Sequence, residues 1–221
     1  MLIDYKQVKI YQQEKLILDQ VDFHVEEGEF VYIIGKVGSG KSSLLKTLYC
    51  ELDIYQDEAE KAEVLGRNLT SIRRKDIPAL RKEMGIIFQD FKLLTDRTIY
   101  KNLQFVLKAT GWKKKDELNQ RIEEVLTDVG LLDKKDNLPH ELSGGEQQRI
   151  AIARALLRNR QVMLFDEATS ALDPDTERQL LQNILSDHSK TVIFITHRMA
   201  VVDYCDQTLH LSALTKQEVE E

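Results

Sequence analysis

Gly35-Lys36-Val37-Gly38-Ser39-Gly40-Lys41-Ser42 decides the reading of this chain. The apolar run Phe30-Val31-Tyr32-Ile33-Ile34 precedes it, and Ser43-Leu44-Leu45-Lys46-Thr47-Leu48 follows. The order is therefore buried strand, glycine loop, helix start. Glycines let the backbone curl so that successive N–H groups converge. The helix beyond adds unpaired N–H groups and the positive end of its dipole. That order suits a phosphate. Lys41 is placed to reach the β- and γ-phosphates of a nucleotide, and the Ser42 hydroxyl to ligate Mg²⁺. The stretch matches G-x-x-x-x-G-K-[ST] in full and in the strand-to-helix setting the pattern requires. A plain glycine turn is the lesser reading of pattern and context together.

Outward from the loop, buried strands alternate with helices, which predicts a mostly parallel sheet covered on both faces. Ligands of such sheets bind at the carboxyl ends of the strands. Val162-Met163-Leu164-Phe165 reads as a strand ending in Asp166-Glu167, and Thr191 to Ile195 as another ending at Thr196-His197. Asp166 is the expected Mg²⁺ partner beside Ser42, direct or through a water. Glu167 is placed to orient or deprotonate a water for attack on the γ-phosphate; the plainer role is a cap on the next segment. Gly85-Ile86-Ile87-Phe88 is a further core strand ending at Gln89, a candidate to contact the Mg²⁺ or the water. His197 terminates a core strand and is a candidate for the γ-phosphate edge. His24, His140, His188 and His210 are assigned no function.

The flanking segments complete the plan. Leu2 to Ile10 and Leu16 to Val25 alternate as antiparallel strands, joined by a turn at Tyr11 to Glu14. Tyr11 ends the first strand and can lie flat against a base. A helix is expected over Lys41 to Glu51, and a short one over Asp76 to Lys82 with Pro78 in its first turn. From Thr98 to Leu132 apolar residues recur at helical spacing, Ile99, Leu103, Val106 and Leu107, then Leu118, Ile122, Val125, Leu126 and Val129. This is a helical lobe inserted in an α/β core. Phe91, Leu93 and Leu94 either form a groove for a partner's helix or pack inside that lobe. Leu142-Ser143-Gly144-Gly145-Glu146-Gln147-Gln148-Arg149 opens a helix running to about Asn159, and its Ser143-Gly144-Gly145 start is a second anion site by the same dipole argument. One nucleotide has no need of two helix N-termini from one chain. A second copy would supply the second.

The bulk properties narrow the class. A chain of 221 residues is enough for one large domain or one domain with an inserted lobe. Its 42% hydrophobic and 31% charged residues are ordinary for a globular protein. A formal net charge of −6 advertises no nucleic-acid surface. The basic runs at Arg73-Arg74-Lys75 and Lys113-Lys114-Lys115 read as solvated faces. Two distant cysteines, Cys50 and Cys205, make no disulfide framework or metal spacing, and fit reduced thiols in the cytosol. The start, Met1 to Lys6, carries charge at once and lacks the apolar core expected of a signal peptide, and no apolar run approaches the roughly 18–20 residues of a membrane span. Work at a membrane would need another chain to provide the span.

From Tyr11 to about Leu211 the sequence resembles the ATP-binding cassette (ABC) ATPases, whose signature looks like Leu142 to Arg149. The resemblance implies a single α/β P-loop NTPase domain over residues 1–221, with a mostly parallel sheet, an N-terminal antiparallel β-subdomain and a helical subdomain inserted at about 90–145. It implies ATP and Mg²⁺ as cofactors. Tyr11 would stack on adenine. Gly35, Lys36, Val37, Gly38, Ser39, Gly40, Lys41, Ser42 and Ser43 would form the phosphate loop. Ser42, Gln89 and Asp166 would serve the metal, Glu167, His197 and Gln89 the catalysis. Ser170 to Asp173 would be the D-loop. Ser143, Gly144, Gly145 and Glu146 of one copy would close over the ATP of another, giving a homodimer on ATP binding.

Within the family, Gly35 to Asp53, Phe88 to Thr98 and Phe105 to Trp112 are similar to the cell-division branch. That likeness implies a permease-like integral membrane partner of FtsX type, control of peptidoglycan hydrolysis, and a cytoplasmic protein peripheral to the membrane. Ala168 to Pro174 and Ile195 to Met199 look instead like importer or exporter cassettes, such as the methionine type. A soluble family member acting on nucleic acid or ribosomes is disfavoured by the acidity and by the lack of long insertions. A small-molecule P-loop kinase has no use for the signature.

Overall fold

Two kinds of apolar pattern build two kinds of sheet. The computed structural model describes residues 1–88, 91, 93–158, 160–185, 190–196 and 205–212, without the side chains of 183 and 185. In chain order the elements are β1 (Ile3–Gln12), β2 (Lys15–Val25), β3 (Phe30–Gly35), α1 (Lys41–Leu48), β4 (Lys61–Val64), β5 (Arg67–Asn68), α2 (Ile77–Lys82) and β6 (Met84–Ile87). Then follow α3 (Ile99–Ala109), α4 (Lys115–Asp128), α5 (Gly144–Leu156), β7 (Val162–Asp166), α6 (Pro174–Leu185), β8 (Thr191–Ile195) and β9 (Gln207–Leu211).

The alternating N-terminal strands form an antiparallel sheet in the order β2-β1-β4-β5. The continuous apolar runs form a five-stranded sheet, β6-β7-β8-β3-β9, whose pairings are all parallel. Side chains alternate across a strand, and this sorts the core. Val31, Ile33, Leu164, Ile193 and Ile195 share one buried cluster with Leu44, Leu45 and Leu48 of α1 and with the antiparallel sheet. Phe30, Tyr32, Phe165 and Phe194 face the other way, onto Ala151 and Ile152 of α5 and Leu180 and Leu181 of α6. The Tyr32 and Phe194 rings stack there, centroids 6.0 Å apart. A third cluster joins α3, α4 and α5 through Leu103, Leu107, Ile122, Leu126 and Ile150, as the helical spacing from Thr98 to Leu132 predicts.

Two buried hydroxyls tie the antiparallel sheet to the phosphate-loop helix: Tyr5 Oη lies 3.0 Å from Thr47 Oγ1. Burial pushes the Tyr5 phenol far above its ordinary pKa, so it stays a neutral hydrogen-bonding group.

The first helix is shorter than the sequence suggests, ending at Leu48 rather than Glu51. Cys50 takes a left-handed φ of 55°. The Glu51 N–H then donates to Lys46 O at 2.9 Å and the Cys50 N–H to Thr47 O at 3.0 Å, a Schellman ending. Glycine usually occupies that position, and a cysteine hides it.

The three residues held open between groove and packing divide. Phe91 packs against the aromatic cluster and Leu93 against the helical one. Leu94 alone of the three lines a groove of about 670 Å³ between α2 and α3.

Candidate active site

The phosphate loop is shaped by close approaches that only glycine allows. Gly35 ends β3 opposite Leu211 of β9. A Cβ there would lie 2.3 Å from Leu211 O and 2.5 Å from Ser39 Oγ. Gly35→Ala must therefore push β9 away or open the loop. Overpacking of this kind costs about 1–3 kcal/mol, and thermal unfolding should show the melting point drop; an unchanged melting point would mean the loop yields freely. Gly40 caps α1 at φ 88°, and a side chain there would strike Leu18.

Inside this curl lies Lys41, only 5% exposed. Its ammonium donates to Gly35 O at 2.9 Å and to Lys36 O at 3.0 Å. The neighbouring Ser39 Oγ is buried and meets no hydrogen-bond partner among the described residues. A buried donor left so is costly, and a phosphate oxygen is a natural acceptor for it.

Three strand ends meet at this loop. The Ser42 hydroxyl donates to Asp166 Oδ1 at 2.8 Å, joining the start of α1 to the end of β7. The Glu167 N–H donates to Ile195 O at 3.0 Å, joining β7 to β8. Glu167 itself is half-buried, at a left-handed φ of 50°. A non-glycine residue is strained there, so the chain leaves the strand and turns at this carboxylate. Burial raises the Asp166 carboxyl above its ordinary pKa; the Ser42 hydroxyl pulls it down and the Glu167 charge pushes it up again. Two adjacent carboxylates in a partly buried site make a negative centre that a divalent cation would neutralise.

One prediction follows from that charge. In buffer free of nucleotide and Mg²⁺, Asp166→Asn should melt above the native chain, because the amide oxygen keeps the Ser42 bond without a buried charge. Its ATP hydrolysis should be lost. Differential scanning calorimetry checks the first part, and a lower melting point would show the carboxylate to be structural.

Tyr11 pairs with Leu16 at the end of the β1–β2 hairpin, and the next residues, Ile17 and Leu18, abut Gly40. The hairpin end thus adjoins the phosphate loop. The Tyr11 hydroxyl donates to Glu58 at 3.3 Å. At the start of α5, Ser143 Oγ accepts from the Glu146 N–H at 3.3 Å, and Glu146 accepts from the Ser143 N–H at 2.8 Å, a complete capping box. These bonds hold the Glu146 carboxyl below its ordinary pKa. Ser143 and Gly144 are exposed. Behind them Gln148 is fully buried, and its Oε1 accepts from the Ala171 N–H at 2.9 Å. The helix start is so braced against the segment after Glu167. Gln89 and His197 lie outside the described residues.

The structure adds three residues to those expected. Glu58 holds Tyr11, Gln148 holds Ala171, and Arg154 donates to Phe91 O at 2.8 Å. Their partners are distant in sequence, and no local pattern signals them.

A phosphate loop between a buried parallel strand and a helix, with a carboxylate from a second strand on its serine, defines a P-loop nucleotide-binding protein. The family model for ABC transporters matches residues 18–170, and the chain belongs to that family. As an ABC ATPase it binds and hydrolyses ATP. It is 39% identical over 198 residues to the cell division ATP-binding protein FtsE of Streptococcus pneumoniae, covering 89% of this chain and 84% of that one. It is 41% identical over 216 residues to the methionine import ATP-binding protein MetN 1 of Shouchella clausii, covering 93% of this chain but 61% of that one. Among solved structures it is similar to the ATP-binding cassette MJ0796 in a dimeric post-hydrolysis state bound to ADP and Pi. That match has a TM-score of 0.85 and 29% identity, over 96% of this chain and 97% of that one.

Proposed function

We propose that this chain is the motor subunit of a membrane complex of the cell-division type, in which two copies close head to tail around two ATP molecules and pull on an FtsX-type membrane subunit that controls peptidoglycan hydrolysis. One observation carries the reading: a single chain holds two helix starts fit for anions. One is α1, with Lys41 buried in its loop; the other is α5, with Ser143 and Gly144 exposed. The second is free to close on the nucleotide of another copy. The dimeric relative with ADP and Pi supports this arrangement.

In each site Tyr11 would stack on adenine. The loop amides from Gly35 to Ser43, with Lys41, would bind the phosphates. Ser42 and Asp166 are hard oxygen donors of the kind Mg²⁺ takes, with Gln89 as the further donor. When bound, Mg²⁺ neutralises charge on the β- and γ-phosphates. Glu167 would hold the attacking water and accept its proton, and His197 would hold the γ-phosphate edge. Loss of the γ-phosphate removes the bridge between copies, and they part.

Among the described residues no helix is long and apolar enough to cross a membrane. On the likeness to FtsE and to the ABC transporter family, we place the chain on the cytoplasmic face, held by its partner. A methionine-type importer is the second reading, favoured by Ala168 to Pro174 and by an identity to MetN as high as to FtsE. Co-expression with an FtsX-type subunit and with a methionine permease from the same genome separates the two. Stable co-purification with the FtsX-type subunit alone, with ATPase activity retained, is the expected result. Co-purification with the permease alone would overturn it.

A further inference from the structure

Among the described residues Glu177 is the only acid buried from solvent, at 3% exposed. It lies in the first turn of α6, where its N–H donates to Asp173 O at 3.0 Å. Its side chain reaches back toward β7. The hydroxyl of Thr169, itself fully buried, donates to Glu177 Oε1. Thr169 stands two residues after Glu167, in the segment that leaves β7 for α6. The backbone of that segment is held as well: the Leu172 N–H donates to Thr169 O at 3.0 Å, and the Ala171 N–H to Gln148 Oε1 at 2.9 Å. Glu177 also faces β3. Burial lifts the Tyr32 phenol well above its ordinary pKa, a hydrogen bond with Thr196 draws it back, and the Glu177 charge lifts it again. Packing alone does not call for a carboxylate here, since an apolar side chain of like volume fills such a space at less cost. The turn does call for one. Glu167 sits at a left-handed φ of 50°, and a strained residue keeps such a conformation only when its surroundings enforce it.

We propose that Glu177 is a positioning residue for ATP hydrolysis: through the Thr169 hydroxyl it locks the turn that aims the Glu167 carboxylate at the attacking water. The inference rests on Glu167 as the base and deepens that reading, by naming what holds the base in place. A hydrogen bond to a charged acceptor is stronger than one between neutral groups, and here it joins the first turn of a packed helix to the residue two places beyond the strained one. Both side chains are buried, so they act on the turn and not on the nucleotide. Their loss therefore slows the chemical step and leaves ATP binding as it was.

The test compares the native chain with Glu177→Leu, Glu177→Gln, Thr169→Val and the double variant Thr169→Val/Glu177→Leu. Steady-state ATPase rates are expressed per ATP-binding site, counted by calorimetric titration, so that unfolded chain does not enter. Glu177→Leu should lose about tenfold or more in kcat, as a misaimed catalytic group does, while its Kd for ATP stays within about twofold of native. Glu177→Gln keeps an acceptor oxygen for the Thr169 hydroxyl and should recover kcat to within about threefold of native. Thr169→Val should match Glu177→Leu, and the double variant should fall no further than either, because both act through one bond. A side chain that only supports the fold would lower the melting point and leave kcat per site native, and that result overturns the proposal. Multiplying losses in the double variant overturn it too. Should Glu177→Leu fail to fold, Thr169→Val, close in shape, decides: a tenfold loss in kcat with ATP binding kept upholds the proposal, and a native kcat overturns it. Glu167→Gln is measured alongside. Lost turnover there, with native turnover in Glu177→Leu, sinks this inference alone. Native turnover in Glu167→Gln sinks the base assignment and this inference with it.

Discussion

Glu167→Gln is expected to bind ATP with near-native affinity and to lose about 10³-fold in turnover, within the range a general base contributes. Glutamine matches glutamate in shape and can still orient a water, but it accepts no proton. The half-buried carboxylate stands where the backbone turns out of β7, fixed by its N–H bond to Ile195 O. The local geometry should survive the change, because the bond from the Glu167 N–H to Ile195 O is made by the backbone and not by the side chain. With hydrolysis blocked, ATP stays between the two copies. Size-exclusion chromatography with ATP should then show a dimer that the native chain forms only in passing. Native turnover by the variant would remove Glu167 from the chemistry. A variant that neither turns over nor dimerises would count against two copies sharing one nucleotide.

Lys41→Ala should weaken nucleotide binding by about 10²- to 10⁴-fold, the loss of two charge-assisted hydrogen bonds at about 1.5–3 kcal/mol each. The lysine is both ligand and scaffold, since its ammonium also bonds Gly35 O and Lys36 O. Calorimetric titration with ATP reads the first role, and thermal unfolding without nucleotide reads the second. A large loss of affinity with a small change in melting point is the expected pair. Unchanged affinity would show that the amides alone hold the phosphates.

Much of this was legible in the residues because the signals are local. A buried strand, a glycine curl and a helix start are written consecutively from Phe30 to Leu48, and they fold as written. The paired clusters on the two faces of the sheet follow from continuous apolar strands, which can only be buried on both sides. Other features needed the structure. Cys50 ends α1 in a conformation that a glycine would have announced. Gln7 breaks the β1 alternation at a φ of 53°, its N–H taken by Asp22 across the hairpin at 2.8 Å; nothing in the local pattern marks that bulge. Phe91 and Leu93 differ from Leu94 in surroundings, not in character, so their spacing alone left the groove undecided.

Gln148 and Arg154 lie on one short cylinder. The thirteen residues of α5 measure about 20 Å end to end. One end presents Ser143 and the other adjoins the groove between α2 and α3. A rigid rod of that length acts as a lever arm. Tilting it by about 5° about Gln148 swings the Leu156 end, about 12 Å away, by about 1 Å, enough to weaken or break a hydrogen bond. Mechanical work would then need no unfolding and no long relay of contacts, only a small rocking of one well-packed rod about the Gln148–Ala171 pivot.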